Sequence, residues 1–234
     1  MDIFGEKKRK TLMPISNANF RFLNELSLHN NREWFAEHKH EYEVFHEEVK
    51  NLAKDVEVLM NEHDLLAGGR VYRIYRDVRF SKDKTPFKDY WAGSFRRATA
   101  LLRGGYYYEI APGRSFVAGG FFGPNPSDLL HIRKQISQEP EPLWEVLNQK
   151  EFKQYFGGLK GDAVKTSPKG FSIDDPAITL IRQKQFVIEH YFTDEEVLSP
   201  DFPETINSAF RAMRPFLDYM SEILTTDLNG ESIV

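Results

Sequence analysis

Apolar residues recur at Phe20, Leu23 and Leu26 behind Ser16 and Asn17, either of which can cap a helix, and the spacing predicts a short helix ending near His29. A longer run follows through Phe35, Tyr42, Phe45, Val49, Leu52, Val56 and Leu59, whose last six positions alternate three and four apart. Asn30 stands before it with Glu33 three residues on, the pairing of a capping box, so the run reads as one helix of about 30 residues, on the order of 45 Å long. Gly68 and Gly69 close the segment after it. From Val71 to Phe122 the pattern changes to aromatic and branched residues in short runs broken by Gly and Pro, which predicts strands over 71–76, 90–95, 105–110 and 116–122. Ala111-Pro112-Gly113-Arg114 joins the last two as a hairpin turn, because Pro presets one turn dihedral and Gly accepts positive φ.

Asn125-Pro126-Ser127-Asp128 places a cap, a proline at the first helical position and an acid near the helix N-terminus, opening a helix through Leu129, Ile132, Arg133 and Ile136. Shorter helical pieces are expected over 144–147 and 152–156, and Gly157 to Asp175 reads as an irregular excursion. Asp175-Pro176 opens a short helix through Ile181, and 185–192 is a candidate further strand. Ile206, Phe210, Met213, Leu217, Met220 and Leu224 mark an amphipathic helix from about 203 to 226, with a kink or a break expected at Pro215. The architecture expected is α+β: a mostly antiparallel central sheet over about 71–122, joined by 185–192, covered on one face by helices from both termini. Residues 1–15 are expected to form a flexible tail, 16–228 a single domain, and 229–234 a frayed end.

Composition narrows the class. The 234 residues, 41% hydrophobic and 14% aromatic, suffice to fill a core. A net charge of -4 argues against a surface built throughout to grip nucleic acid or an anionic membrane, although a local basic patch is compatible with it. Cysteine is absent, which excludes disulfides, thiolate metal sites and thiol catalysis and permits an intracellular location. The opening MDIFGEKKRKTLMP has a basic run with no apolar stretch behind it, unlike a secretory signal, and no window approaches the roughly 20 apolar residues of a membrane span. A cytoplasmic protein is expected.

The unusual chemistry lies between Arg73 and Trp91, where six Arg or Lys and three Asp alternate with aromatic rings. If Val71 to Arg76 is a strand, alternation turns Arg76 toward the apolar face, and a buried guanidinium without a partner costs several kcal/mol. Arg76 then needs an internal carboxylate, such as Asp77, Asp83 or Glu109, or a bound anion. The anion reading groups Arg73, Arg76, Arg79, Lys82 and Lys84, with Asp77, Ser81, Asp83, Lys88, Tyr107 and Glu109 in support, because Arg grips phosphate or carboxylate bidentately and Lys adds point charge. Ser81 to Pro86 is polar and turn-rich, a loop beside that site. Ten basic residues stand against three acidic ones from Arg70 to Arg103, and the interleaved rings could stack bases, so single-stranded nucleic acid is a second reading. An interaction or scaffold module whose charges form an internal ion-pair network is the third. The chain has no nucleophile-elbow or phosphate-loop motif, and His38, His40 and His46 lack metal-ligand spacing, so no catalytic residue, metal or cofactor is assigned. Asp175 is explained as a cap. Gly119-Gly120 reads as a bulge ahead of a close ligand approach.

Four blocks of the chain carry a family resemblance: NNREWFAEHKHEYE from Asn30, RDVRFSKDKTPFKDYW from Arg76, GGYYYEIAPGRSFVAGGFFGP from Gly104, and SPKGFSIDDPAITLIRQK from Ser167. Together they resemble the bacterial and fungal proteins grouped as domain of unknown function 2461, over about Phe20 to Leu224. Val78 stands where that family has Thr and Phe87 where it has Tyr, so any role needing a hydroxyl there does not carry over. The resemblance implies a shared single-domain fold and a shared charged loop, and brings no reaction, substrate or cofactor with it.

Overall fold

The computed structural model describes residues 15–234, so the expected N-terminal tail, apart from Ile15, lies outside the described residues. Ile15 itself is buried in the core. Helix α1 (Asn17–Leu28) is capped by Ser16, whose side chain accepts from the Asn19 amide. The expected 30-residue helix is divided at His38 into α2 (Arg32–Glu37) and α3 (Lys39–Met60). The His38 ring bonds the Trp34 carbonyl at 2.8 Å and stacks on the Trp34 ring, which holds the chain out of helical geometry at that residue. The cap of α2 is Asn31 and not Asn30.

Five strands follow in one antiparallel sheet, ordered as in the chain: β1 (Leu66–Val71), β2 (Trp91–Arg97), β3 (Gly105–Ile110), β4 (Phe116–Phe121) and β5 (Phe186–Tyr191). Four lie where the pattern predicted them. The first ends where it was expected to begin, because its two glycines are strand residues. A bulge sits between Leu66 and Gly68, and Gly69 leaves room for the Phe95 ring, which would come within 2.8 Å of any Cβ there. The bulge expected at Gly119-Gly120 is absent, since β4 pairs with β5 in unbroken register. Those glycines answer other needs: a Cβ on Gly119 would stand 2.7 Å from the Met213 sulfur, and Gly120 has a φ of 119°. Between β4 and β5 lie α4 (Pro126–Gln138), α5 (Glu141–Asn148), α6 (Lys150–Phe156) and α7 (Ile178–Ile181); α8 (Asp194–Val197) and α9 (Phe202–Thr225) follow. Helix α9 runs through Pro215 as one element. Residues 229–234, expected to fray, are reached by a turn at Asp227 to Gly230 that brings Ser232 to pair with Thr226.

Helices α3 and α9 cover one face of the sheet. Trp91 and Phe95 of β2, Tyr106 and Tyr108 of β3, Val117 of β4 and Ile188 of β5 meet Phe210, Met213 and Leu217 of α9 in a single buried cluster. Each such side chain contributes about 1.5–3 kcal/mol of apolar burial before the entropy of ordering it is counted. The same alternation carries Arg97, two residues beyond Phe95, onto the buried face. Its guanidinium is fully buried and meets Asp64, 1% exposed, with Nε 2.9 Å from Oδ2. It also donates to Asp218 and to the Ser221 hydroxyl. Tyr106 donates to Asp64 at 2.5 Å, and Arg214 bonds the other side of Asp218 at 3.1 Å. Burial works against the Arg97 charge, but Asp218, Tyr106 and Asp64 outweigh it and hold the group protonated above its ordinary range.

Candidate functional site

Beyond β1 and β2 the two strands continue as a looser arm. The backbone amides of Tyr72, Lys88 and Arg76 donate to the carbonyls of Ala92, Ile74 and Pro86 at 2.8, 2.8 and 2.9 Å, and Tyr75 pairs with Phe87. Ile74 and Phe87 are buried, and Phe87 stacks on Phe35 of α2 at 3.9 Å. Asn30 pins the arm from across the chain: its side chain donates to the Phe87 carbonyl at 3.0 Å and accepts from the Phe87 amide at 3.1 Å. The polar residues 77–85 form the tip.

Arg70, Arg73, Arg76 and Lys88 line one concavity of about 380 Å³ at the base of this arm, together with Tyr72, Tyr75, Tyr90 and Asp77. Arg70 and Lys88 lie over the Tyr72 ring at 5.4 and 5.6 Å from its centre. Arg76 is not driven into the core. Its strand ends before it, the side chain is 28% exposed, and it pairs with Asp83 at 2.5 Å and with the Thr85 hydroxyl. The Thr85 amide, with Arg76 and the Thr85 hydroxyl, holds the Asp83 carboxyl down to about 2. Arg79 forms a two-pronged pair with Asp77 at 2.9 and 2.6 Å. Lys84 donates to the Val78 carbonyl, and Lys82 is exposed on the tip with Phe80, whose exposure is 96%. The structure therefore brings Arg73 and Arg76 to the concavity with Asp77 and Lys88, and leaves Arg79, Lys82, Lys84, Ser81 and Asp83 outside its lining. Among the described residues Arg70, Arg73 and Lys88 form no salt bridge, and Glu109 acts on Lys88 and Arg73 on Asp77 at longer range. Burial and the neighbouring Arg73 push the Lys88 ammonium below its ordinary value.

Tyr107 and Glu109 point to the sheet face opposite the helices. Tyr107 donates to Glu109 at 3.0 Å, and Arg114 bridges Glu109 and Asp89 with two bonds of 2.8 Å. Burial pushes the Glu109 carboxyl above its ordinary value against the pull of Tyr107 and Arg114. Register aligns Arg70, Ser94, Tyr107, Ala118 and Glu189 in one row across all five strands of that face. A second concavity of about 660 Å³ lies there, floored by Ser94, Gly105, Ala118 and Gly120 and walled by Tyr72, Tyr107, Phe116 and Phe122, with Arg96 and Glu189 also lining it. Tyr72 lines both concavities, and its hydroxyl meets the Ser94 hydroxyl at 2.9 Å.

Sequence reasoning passed over Arg70, because Gly68-Gly69 was read as the end of an element and not as the strand that aims Arg70 outward. It also counted Tyr72, Tyr75 and Tyr90 only as stacking rings. Among the described residues no group of three or more His, Asp or Glu could hold a metal ion, and no helix is long and apolar enough to cross a membrane. Neither a curated protein nor a solved structure matches the chain. A family model described as Conserved hypothetical protein (DUF2461) matches residues 18–219, and the chain belongs to that family.

Proposed function

We propose that the protein binds a small anionic molecule, phosphate-bearing in the first instance, in the concavity formed by Arg70, Arg73, Arg76 and Lys88. The observation that carries this reading is the convergence on one hollow of three cations that form no salt bridge among the described residues, while the tip cations Arg79 and Lys84 are bonded within the tip itself. Cations held together repel one another, and burial first, with Arg73 second, lowers the Lys88 pKa. A bound anion offsets the repulsion, and the guanidinium groups of Arg70 and Arg73, both lining the hollow, offer the forked donors that phosphate oxygens accept. The tyrosine hydroxyls add neutral donors. The local pairs of Arg76 with Asp83 and Arg79 with Asp77 keep the arm in shape, so the ion-pair reading accounts for the tip and the anion reading for the base.

Isothermal titration with pyrophosphate at low ionic strength tests the proposal. The wild-type chain is expected to bind one equivalent, and Arg73→Glu or Lys88→Glu to abolish the heat while leaving the urea midpoint within the range of a surface substitution. Absence of binding to the wild-type chain, or affinity unchanged in both variants, would falsify the proposal.

A further inference from the structure

The cationic hollow and the larger concavity beside it share Tyr72 as a common wall. The latter, on the open sheet face, is almost entirely apolar at its base: Ser94, Gly105, Ala118 and Gly120 keep the floor low while rings stand up around it. Side chains on a β-sheet face ordinarily fill the space above the strands, so small residues on neighbouring strands leave a flat-bottomed trough. Phe122, 60% exposed, forms part of its wall. The polar groups are few and sit apart. Arg96 on β2 supplies donors and Glu189 on β5 supplies an acceptor, with the Ser94 hydroxyl between trough and hollow. Glu189 is engaged only by the Tyr191 hydroxyl, at 3.3 Å, among the described residues.

We infer that the ligand is a phosphorylated compound of nucleotide size, whose flat heteroaromatic ring lies in the trough while its phosphate passes Tyr72 into the cationic hollow. The inference deepens the anion-site reading and rests on it. Rings take up a flat apolar trough by stacking, and the separated donor and acceptor match a ring that carries both kinds of polar edge. Charge complementarity favours this direction, because among the described residues three cations without a salt bridge, Arg70, Arg73 and Lys88, line the hollow and one, Arg96, lines the trough. Register fixes the length: Arg70 and Tyr107 flank Ser94 on adjacent strands, so two strand spacings, about 10 Å, separate ring from phosphate. A phosphate attached directly to the ring is too short for that span, whereas a ring, sugar and diphosphate cover it.

The experiment compares pyrophosphate, adenosine, cytidine, ADP, CDP and a single-stranded dodecanucleotide by titration against the full chain, with Phe122→Ala and Ala118→Leu as variants. ADP or CDP is expected to bind at least about tenfold tighter than pyrophosphate, in the range that base–aromatic stacking supplies. Both variants are expected to remove that gain and leave pyrophosphate affinity unchanged. Phe122 is exposed, so its truncation retains the fold and decides the matter should Ala118→Leu fail to fold. If pyrophosphate binds but the nucleotides bind no tighter, or the gain survives Phe122→Ala, the ring site is overturned and the anion site stands. If no probe carrying phosphate binds, both fall. Oligonucleotide binding tighter than ADP and CDP, with a steep loss on adding salt, overturns the small-molecule reading in favour of a strand of nucleic acid.

Discussion

Replacing Arg97 with Met exposes how the buried charges are balanced. Two arginines and two aspartates share the site, and the Arg97 guanidinium is fully buried against an Asp64 carboxylate that is 1% exposed. Met keeps most of the side-chain volume, so the loss reads chiefly the missing charge. What remains around Asp64 is the Tyr106 hydroxyl at 2.5 Å, the Leu65 amide at 2.8 Å and the Arg214 Nε at 3.7 Å. Removal of one partner from a buried pair costs about 3–5 kcal/mol, and Arg214 leaves the expectation at the lower end, near 3 kcal/mol. Asp64→Asn combined with Arg97→Met is expected to cost less than Arg97→Met alone, because no bare carboxylate is then left behind. Arg76→Ala serves as the control: its pair is half exposed at Asp83, and about 1 kcal/mol or less is expected. Urea unfolding with a common slope m measures wild type, Arg97→Met, Asp64→Asn, the double variant and Arg76→Ala. A loss below about 1 kcal/mol for Arg97→Met, or a double variant as unstable as the sum of its singles, would refute the reasoning.

Two further tests concern the open sheet face and its underside. The Tyr108 hydroxyl is buried with no hydrogen-bond partner among the described residues, so Tyr108→Phe is expected to leave stability unchanged or raise it by up to about 1 kcal/mol; a clear loss in urea melts would point to a missed partner. Glu109 has its folded pKa raised by burial above the 4.5 of an unperturbed carboxyl. Its protonated form therefore favours the folded state below 4.5, and that contribution is lost as pH rises through the folded pKa. Glu109→Gln should accordingly gain on wild type in thermal melts as pH rises above 4.5, and a difference that moves the other way would show that Arg114, not burial, dominates.

Periodicity located most elements because their burial is regular. Helix α9 buries the six apolar positions that its spacing named, and β3 spans the predicted residues. The errors arise where a residue answers to a distant partner. Gly69 looks like a break until the Phe95 ring is seen across it, and Asn30 looks like a cap until Phe87 takes both its polar atoms. The search for a buried arginine settled on Arg76 because β1 was placed five residues late; alternation along β2 would have named Arg97. Of the candidate site, Arg76 was legible as a charge out of place and Arg73 as a member of the basic group around it. Arg70 and the trough were not, since small residues such as Ala118 and Gly120 carry no chemical signal until register sets them side by side.

The contact between Asn30 and Phe87 joins residues 57 apart in the chain and reaches the lining of the hollow through Tyr75, which pairs with Phe87. Arg76 also hangs from Pro86, next to the pinned residue, so the aim of the cationic side chains is fixed partly from the loop between α1 and α2. Substitutions in that loop would therefore be epistatic with those in the arm: a change at Asn30 alters what a given side chain at position 73 or 76 can reach, and two proteins with identical arms can differ in ligand preference through a residue that never meets the ligand.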